Sequence, residues 1–478
     1  MPVYRRGRAG CLKRVPAVRR DIPHVLLVNP WIHDFAAYDF WAKPAGLLQL
    51  AAILLQHGTA VSYIDCLNRF HPRAPAANPA GRNGRGAYLK TALPRPPGLR
   101  DVPRRFSRYG VKTRWFRQDL RRLQPPDLVL VTSMMAYWYP GVQEAIAEIK
   151  AIWPRVPLVL GGVYATLWRE HALRTSGADA VVSGAAEGRI LDLVKTYTGF
   201  AAHPVFDAAD PDSWPYPAYH LETAASCIPL LTTRGCPFAC AYCAASLLNP
   251  VWMRRSPRSV LEEILYWHKA CGATDFVFYD DALLVDAPRH LAPLLEGIIE
   301  SGLPLRFHTP NALHLREIDP RIARLMARAG FRTIRLGVET MDFERRNGLD
   351  RKLYRPDFEA GLKALKDAGF GPDQIGAYLL VGLPGQALSE AAASITALKA
   401  CGVRPIPAYY SPIPGTALWP AAKASSRYDL ASDPVFTNNA IMPCRKSPFS
   451  WREISRLKQL AAGPECSRQG LVHPEGSW

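Results

Sequence analysis

The run Thr233-Arg-Gly-Cys-Pro-Phe-Ala-Cys-Ala-Tyr-Cys-Ala244 puts Cys236, Cys240 and Cys243 at C-x3-C-x2-C spacing, directly after the apolar, strand-like stretch Ile228 to Leu231. One compact loop can fold three thiolates onto three corners of a four-iron four-sulfur cube. No fourth Cys nearby completes the set, so one iron stays open to a ligand that is not protein. A structural zinc site wants four closed ligands, and the nearest further thiol, Cys227, lies nine residues upstream of Cys236. A disulfide framework fits worse: ten Cys in 478 residues are sparse and irregularly spaced, and no secretory apolar region precedes them. The expected compartment is a reducing cytoplasm.

Working outward from this loop, β and α patterns alternate on its C-terminal side. Strands are expected near Ile228 to Thr233, Asp275 to Tyr279, Leu305 to His308, Thr333 to Val338, Gly376 to Val381 and Ala408 to Ser411, with helices between them. Six such units make a partial (β/α)6, TIM-like barrel over 224–436, with reactive loops at the carboxyl ends of the strands. A C-terminal extension covers 437–478. On the N-terminal side, apolar runs at His24 to Asn29, Val61 to Asp65, Leu128 to Ser133, Leu158 to Gly161 and Ala180 to Ser183 alternate with helical patterns such as Pro44 to Gly58 and Gly141 to Ile152. That order implies a doubly wound, Rossmann-like α/β domain over 23–205, whose ligands sit beyond the strand carboxyl ends. Residues 72–115 hold many Pro, Gly and Arg without periodicity and read as an irregular insertion. Residues 206–223, with Pro211 to Tyr219 rich in Pro and aromatics, read as a linker laid against the second domain.

The longest apolar runs are far too short to span a membrane, so no transmembrane segment is expected. The chain carries 59 Lys+Arg against 41 Asp+Glu, a net charge of +18, and residues 1–22 form a basic, disordered-type tail. A basic chain invites a nucleic-acid reading. The charge, however, is spread along the whole length with no aromatic stacking platform to focus it, so nucleic acid is set aside as a partner.

The C-x3-C-x2-C spacing, with aromatic Tyr242 just before the third Cys, resembles the signature of the radical S-adenosylmethionine (SAM) enzymes. The resemblance implies a [4Fe-4S] cluster on Cys236, Cys240 and Cys243 whose open iron binds SAM. It also implies reductive cleavage of SAM to a 5′-deoxyadenosyl radical, fed by an external reductant of flavodoxin or ferredoxin type. The N-terminal order, with TSMMAYWYPG after the third strand, GGVYATL after the fourth and SGAAEG after the fifth, is similar to the cobalamin (B12)-binding-type domain that precedes many radical SAM barrels. The resemblance departs from the family at Asp-x-His-x-x-Gly, the pattern that supplies cobalt with an axial His. Here Asp65 is followed by Cys66 and Leu67, with His71 six positions on. Relatives that bind cobalamin without this His leave the cofactor open for this domain, where Gly161 and Gly162 would let backbone approach a corrin edge or nucleotide tail.

The same resemblance assigns the barrel's strand ends. Phe278-Tyr279-Asp280-Asp281 would meet the SAM ammonium, with Asp280 favoured over Asp281. Glu339, in Leu336-Gly-Val-Glu-Thr340, would bind the ribose, and Gly382, in Leu380-Val-Gly-Leu-Pro-Gly385, would let backbone approach the adenine. Tyr409, Tyr410 and His308 are the candidates for substrate contact or proton transfer. The expected function is hydrogen abstraction from a small molecule or natural product, with methyl transfer or rearrangement to follow. Two alternatives stand beside it. An RNA-modifying methylthio-transferring enzyme would need a second three-Cys set, and residues 1–226 offer only Cys11 and Cys66. A non-catalytic electron carrier would not require the residues assigned to SAM.

Overall fold

Alternate residues of the first strand, β1 (His24–Asn29), enter two different cores: Leu26 and Val28 pack on one side of the sheet, Val25 and Leu27 on the other. A strand buried on both faces must be apolar throughout, which is why its sequence is a run and not an alternation. The computed structural model describes residues 22–79, 81–224, 227–346, 348–446 and 450–462. The basic segment 1–22, except Ile22, lies outside them, as do Cys11 and Cys466. The chain divides into two compact units, the first ending at Ala225 and the second beginning at Ser226. Among the described residues no helix is long and apolar enough to cross a membrane.

In the first unit, β1 is followed by β2 (Ile32–Asp34), α1 (Ala45–Gln56), β3 (Ala60–Asp65), β4 (Lys90–Leu93), β5 (Phe106–Tyr109), α2 (Thr113–Arg122), β6 (Leu128–Val131) and α3 (Tyr139–Ile152). Then come β7 (Leu158–Leu160), α4 (Val163–Leu167), α5 (Arg169–Thr175), β8 (Ala180–Val181) and α6 (Ile190–Thr198). Five strands form a parallel sheet in the order β3-β1-β6-β7-β8. Helices α1 and α6 bury one face, through Leu47, Ala51, Ile190 and Val194. Helices α2 and α3 bury the other, through Phe116, Leu120, Val142 and Ile146. This is the doubly wound architecture, with ligand-binding crevices at the strand carboxyl ends.

Two expectations for this unit need correction. Within 72–115, read as irregular, β4 and β5 join β2 in a three-stranded antiparallel sheet ordered β2-β5-β4. Strands of three or four residues, such as KTAL and FSRY, are too short to show a period. The segment 206–223, expected to lie against the second domain, is bound to the first unit. The Ala218 amide donates to the Leu48 carbonyl at 3.0 Å, Gln49 reaches the Pro215 carbonyl, and Glu222 pairs with Lys43 at 2.6 Å.

The second unit runs β9 (Ile228–Leu230), β10 (Thr233–Arg234), α7 (Ala245–Leu248), β11 (Met253–Arg254), α8 (Pro257–Cys271), β12 (Asp275–Phe278), α9 (Leu291–Glu300), β13 (Arg306–His308), α10 (Pro320–Ala329) and β14 (Phe331–Glu339). It continues with α11 (Phe343–Arg346), α12 (Arg355–Asp367), β15 (Ile375–Val381), α13 (Leu388–Ala400), β16 (Arg404–Tyr409), α14 (Trp419–Ser425) and α15 (Trp451–Ala462). Six strands, β9-β12-β13-β14-β15-β16, lie parallel and in chain order, giving the partial barrel. Helix ends follow local chemistry: Ser256 and Asp319 cap α8 and α10, each with Pro at the first turn and a left-handed Gly after the last. Strand β16 starts at Arg404, four residues before the expected Ala408, although it contains Pro405 and Pro407. It is the sheet's edge strand, where a residue without an amide hydrogen costs no ladder bond on the open side.

Candidate active site

The first barrel strand stops at Leu230, short of the expected Thr233, and the reason lies in the next strand's acid. The Asp280 carboxylate captures the amides of Thr232 (3.0 Å) and Thr233 (2.6 Å), and both threonine hydroxyls donate to it at 2.6 and 2.7 Å. The chain then turns away from the parallel ladder, and β10 pairs antiparallel with β11, closing the neck of the loop that carries the three Cys. Farther along, the Ala241 amide donates to the Leu349 carbonyl at 2.8 Å and the Leu418 amide donates to the Ala241 carbonyl at 2.9 Å. The loop is thus tied on several sides before any cofactor is considered.

Cys243 Sγ accepts from the Ala245 amide at 3.4 Å, and the hydroxyl of Tyr242, the residue before it, donates to Asp350 Oδ2 at 3.4 Å. Burial pushes all three thiols up, Cys240 to about 11, while the cation of Lys352 pulls the other way. An amide donor at sulfur, such as that of Ala245, stabilises a thiolate and tunes cluster potentials. Among the described residues no three His, Cys, Asp or Glu side chains converge on a single-ion site. A cluster takes one thiolate at each of three separate irons, whereas a structural zinc ion takes four ligands, and the loop offers three Cys. The donor set therefore fits the cluster.

The two acids after β12 differ in their surroundings. Asp280 is buried and committed to Thr232 and Thr233, so its role is to hold the base of the Cys loop. Asp281 is exposed by surface area, yet its carboxyl is partly desolvated by the surrounding protein, and this, then the Asp280 charge, pushes it up to about 6. Its charge is felt at Cys236 and Cys243. The sequence favoured Asp280 for the ammonium contact; the open carboxylate is that of Asp281.

Strand β14 ends in a distortion. Its register against β15 shifts between Gly337 and Glu339, and Glu339 takes φ +61°, a left-handed value unusual for a residue with a side chain. Glu339 is buried and its Oε1 accepts from Lys352 Nζ at 2.9 Å. Burial pulls the Lys352 ammonium down, but Glu339 and Cys240 outweigh it and hold the group above its ordinary value. The same ammonium lies 5.6 Å from the Tyr242 ring centre. Beside it, buried Arg346 pairs with Asp350 at 2.9 Å and also donates to the Val338 carbonyl. The sequence shows these residues only as a polar connection between β14 and α12; nothing in their spacing marks Lys352 as a neighbour of the Cys loop.

The remaining candidates separate. Gly382 ends β15 at φ +89°, and its amide donates to Gln386 Oε1 at 2.7 Å, a partner that sequence reading missed. Tyr410 packs in an apolar cluster that includes Tyr242, Leu349 and Leu383, whereas Tyr409 lies under Lys458 of α15. His308 is fully buried, its ring nitrogens on Thr333 Oγ1 and on Asp275 Oδ1 at 3.0 and 3.1 Å. Those bonds point it into the sheet and remove it from the candidates for substrate contact. His314, in the loop after β13, is buried edge-on to Phe238 of the Cys loop at 4.6 Å and is pushed down to about 3 by burial and by the cations of Lys352, Arg316 and Arg346.

In the first unit, Gly161 and Gly162 follow β7 at the carboxyl edge of the sheet. Gly162 has φ +92° and ψ −164°, and a Cβ there would stand 2.3 Å from the Ser133 carbonyl oxygen. Only glycine allows this approach. Ser133 Oγ donates to the Gly161 carbonyl at 2.6 Å, so the loops after β6 and β7 are pinned together. His71 is not available to a metal: its Nε2 faces Asp119 at 2.8 Å, its Nδ1 accepts from the Arg73 amide, and the ring stacks on Trp115. Gly162 thus lets the two loops pack on each other at the sheet's carboxyl edge, and the position of His71 supplies no axial ligand.

Comparison with known proteins agrees with this geometry. Residues 230–398 match the family model of the radical SAM superfamily, and residues 112–194 match that of the B12 binding domain. Over 373 residues the chain is 25% identical to an uncharacterized methyltransferase, PH0819, of Pyrococcus horikoshii, covering 70% of this chain and 78% of that one. Over 196 residues it is 24% identical to bacteriochlorophyllide d C-12(1)-methyltransferase of Chlorobaculum tepidum, covering 39% of this chain and 42% of the relative. Among solved structures, the radical SAM methyltransferase TsrM from Kitasatospora setae, with tryptophan substrate and a SAM analogue bound, superposes with a TM-score of 0.62 at 16% identity, covering 88% of this chain and 83% of that one. The cobalamin-dependent SAM radical enzyme OxsB, with aqua-cobalamin bound, gives a TM-score of 0.55 at 13% identity, covering 87% and 58%. At these identities the structural likeness speaks for the fold.

Proposed function

We infer that this chain, a radical SAM protein with a B12-binding domain ahead of its radical SAM domain, is a cobalamin-dependent radical SAM methyltransferase acting on a small organic substrate. One observation carries the reading. Three thiols on one loop sit at the carboxyl end of a parallel partial barrel in a chain that also has a B12-binding domain. When bound, the cluster supplies the electron that cleaves SAM, and cobalamin supplies a methyl carrier.

The chain's own residues do the positioning. Cys236, Cys240 and Cys243 hold three irons, and Tyr242 packs beside them. The exposed Asp281 carboxylate accepts the SAM ammonium, the Glu339 carboxylate accepts the ribose hydroxyls, and the Gly382 turn admits the adenine edge. Gly161 and Gly162 bring backbone against the corrin edge or its nucleotide tail. A flavodoxin- or ferredoxin-type reductant and a reducing cytoplasm match a cluster of this kind.

The test is anaerobic reconstitution with iron, sulfide and hydroxocobalamin, then metal counts and incubation with SAM and a reductant. The expected result is about four irons and one cobalt per chain, with 5′-deoxyadenosine formed. Four irons without cobalt would refute methyl transfer through cobalamin. A triple Cys236→Ser, Cys240→Ser, Cys243→Ser variant that still made 5′-deoxyadenosine would refute the mechanism altogether.

A further inference from the structure

We propose that Lys352 is the positioning residue of the SAM pocket: it holds the Glu339 carboxylate toward the ribose and ties that contact to the Cys loop. The proposal rests on the SAM-binding role read for Glu339 above. Four observations converge on it. Lys352 and Glu339 are both buried, with Nζ 2.9 Å from Oε1, so the ammonium fixes one carboxylate oxygen. Among the described residues the other oxygen, Oε2, accepts no hydrogen bond and remains for a ligand hydroxyl. The pair sits directly over Gly337, where a Cβ would stand 3.1 Å from Glu339 Oε1 and 3.3 Å from Lys352 Nζ. The backbone beneath is set to aim the carboxylate: Glu339 has φ +61°, and the Thr340 amide turns back onto the Val338 carbonyl at 2.6 Å.

The link to the Cys loop runs through the same ammonium. Its cation faces the ring of Tyr242, the residue just before Cys243, at 5.6 Å. Lys352 itself is held from behind, because its amide donates to Asp350 Oδ1 at 3.1 Å, and Asp350 pairs with the buried Arg346. A buried carboxylate without a cation would take up a proton or turn away, and either change spoils it as an acceptor for a ribose diol. Backbone strain at a ligand clamp is tolerated where surrounding contacts over-determine it, and these contacts do so.

The experiment compares Lys352→Met, Lys352→Arg, Glu339→Gln and the double variant Glu339→Gln/Lys352→Met, all as reconstituted full-length protein. Iron content, the SAM dissociation constant from the change in the cluster's electron paramagnetic resonance signal, and kcat and KM for SAM cleavage are measured. Lys352→Met should keep wild-type iron and weaken SAM binding at least tenfold, with the loss appearing in KM more than in kcat. Lys352→Arg should recover most of the affinity. The double variant, which leaves no unpaired buried charge, should bind SAM no worse than Glu339→Gln alone, because Lys352 acts through Glu339. Wild-type SAM affinity in Lys352→Met overturns the proposal. So does loss of iron in both Lys352→Met and the double variant, which would make the residue a prop of the Cys loop. Failure of the broader reading looks different: the wild-type protein itself would hold no cluster or leave SAM intact.

Discussion

The two acids after β12 have similar sequence credentials and opposite expected behaviour, which makes Asp280→Ala the sharpest perturbation of the site. Removing that carboxylate orphans the amides of Thr232 and Thr233, both on buried residues. A buried donor left without its acceptor costs about 1–3 kcal/mol, so the two amides together cost about 2–6 kcal/mol. The two threonine hydroxyls can rotate toward other acceptors and add nothing that can be counted. Thr232 Oγ1, for instance, donates to Asp280 and accepts from His290 Nε2 at 2.9 Å, and the latter contact survives the substitution. The total is a large share of a domain's usual stability.

Amide hydrogen exchange of the full chain, followed by mass spectrometry over the peptide containing Thr232 and Thr233, reads this directly. The predicted cost corresponds to exchange faster by about 30-fold to 10^4-fold at these amides. Asp280→Asn keeps an acceptor oxygen without its charge and should fall between wild type and Ala. Asp281→Ala should leave exchange at Thr232 and Thr233 unchanged while weakening SAM binding to the reconstituted protein. Less than a tenfold change in Asp280→Ala, or an equal change in Asp281→Ala, would refute the assignment of Asp280 as the anchor of the Cys loop.

Three further outcomes follow from the same geometry. Gly162→Ala puts a Cβ 2.3 Å from the Ser133 carbonyl oxygen at a φ that side chains avoid, so it should cost about 3 kcal/mol or more and lower both first-unit stability and cobalt content after reconstitution. Asp65 has its folded-state pKa raised to about 7 by burial, then by Glu222, against the pull of Lys43. The unfolded chain therefore releases this proton first, and stability falls as pH rises from about 4 to 7. Asp65→Asn keeps the acceptor for Asn29 and for the Leu67 amide, and should raise the first unit's melting temperature over wild type more at pH 8 than at pH 5; an equal offset at both would count against the shift. Arg346→Met leaves the buried Asp350 carboxylate uncompensated and should cost about 3–5 kcal/mol in thermal unfolding, and Arg346→Met/Asp350→Leu should recover much of it.

What could be read from the chain, and what could not, divides by the distance over which the determining interaction acts. The parallel strands announce themselves because both faces of each are buried, which makes Val25 to Val28 or Leu128 to Val131 a continuous apolar run. The three Cys are legible because a single loop must carry them all. The β2-β5-β4 sheet is invisible because its strands are short and half polar, and β2 finds β5 across some seventy residues. The choice between Asp280 and Asp281 is invisible for a related reason. Neighbouring residues of one type are separated only by what they meet, and Asp280 meets amides 47 and 48 positions away. Lys352 is the extreme case: it belongs to a charged connection that reads as solvated, yet it is buried against Glu339 and Tyr242. Burying a charge requires a partner. The partner here ends one strand, while the aromatic face comes from the loop after another. A charged residue in an interstrand loop therefore discloses a functional position only when the strand ends are brought together. That is why the three Cys and the strand-end acids were legible by motif, and the buried charges around them were not.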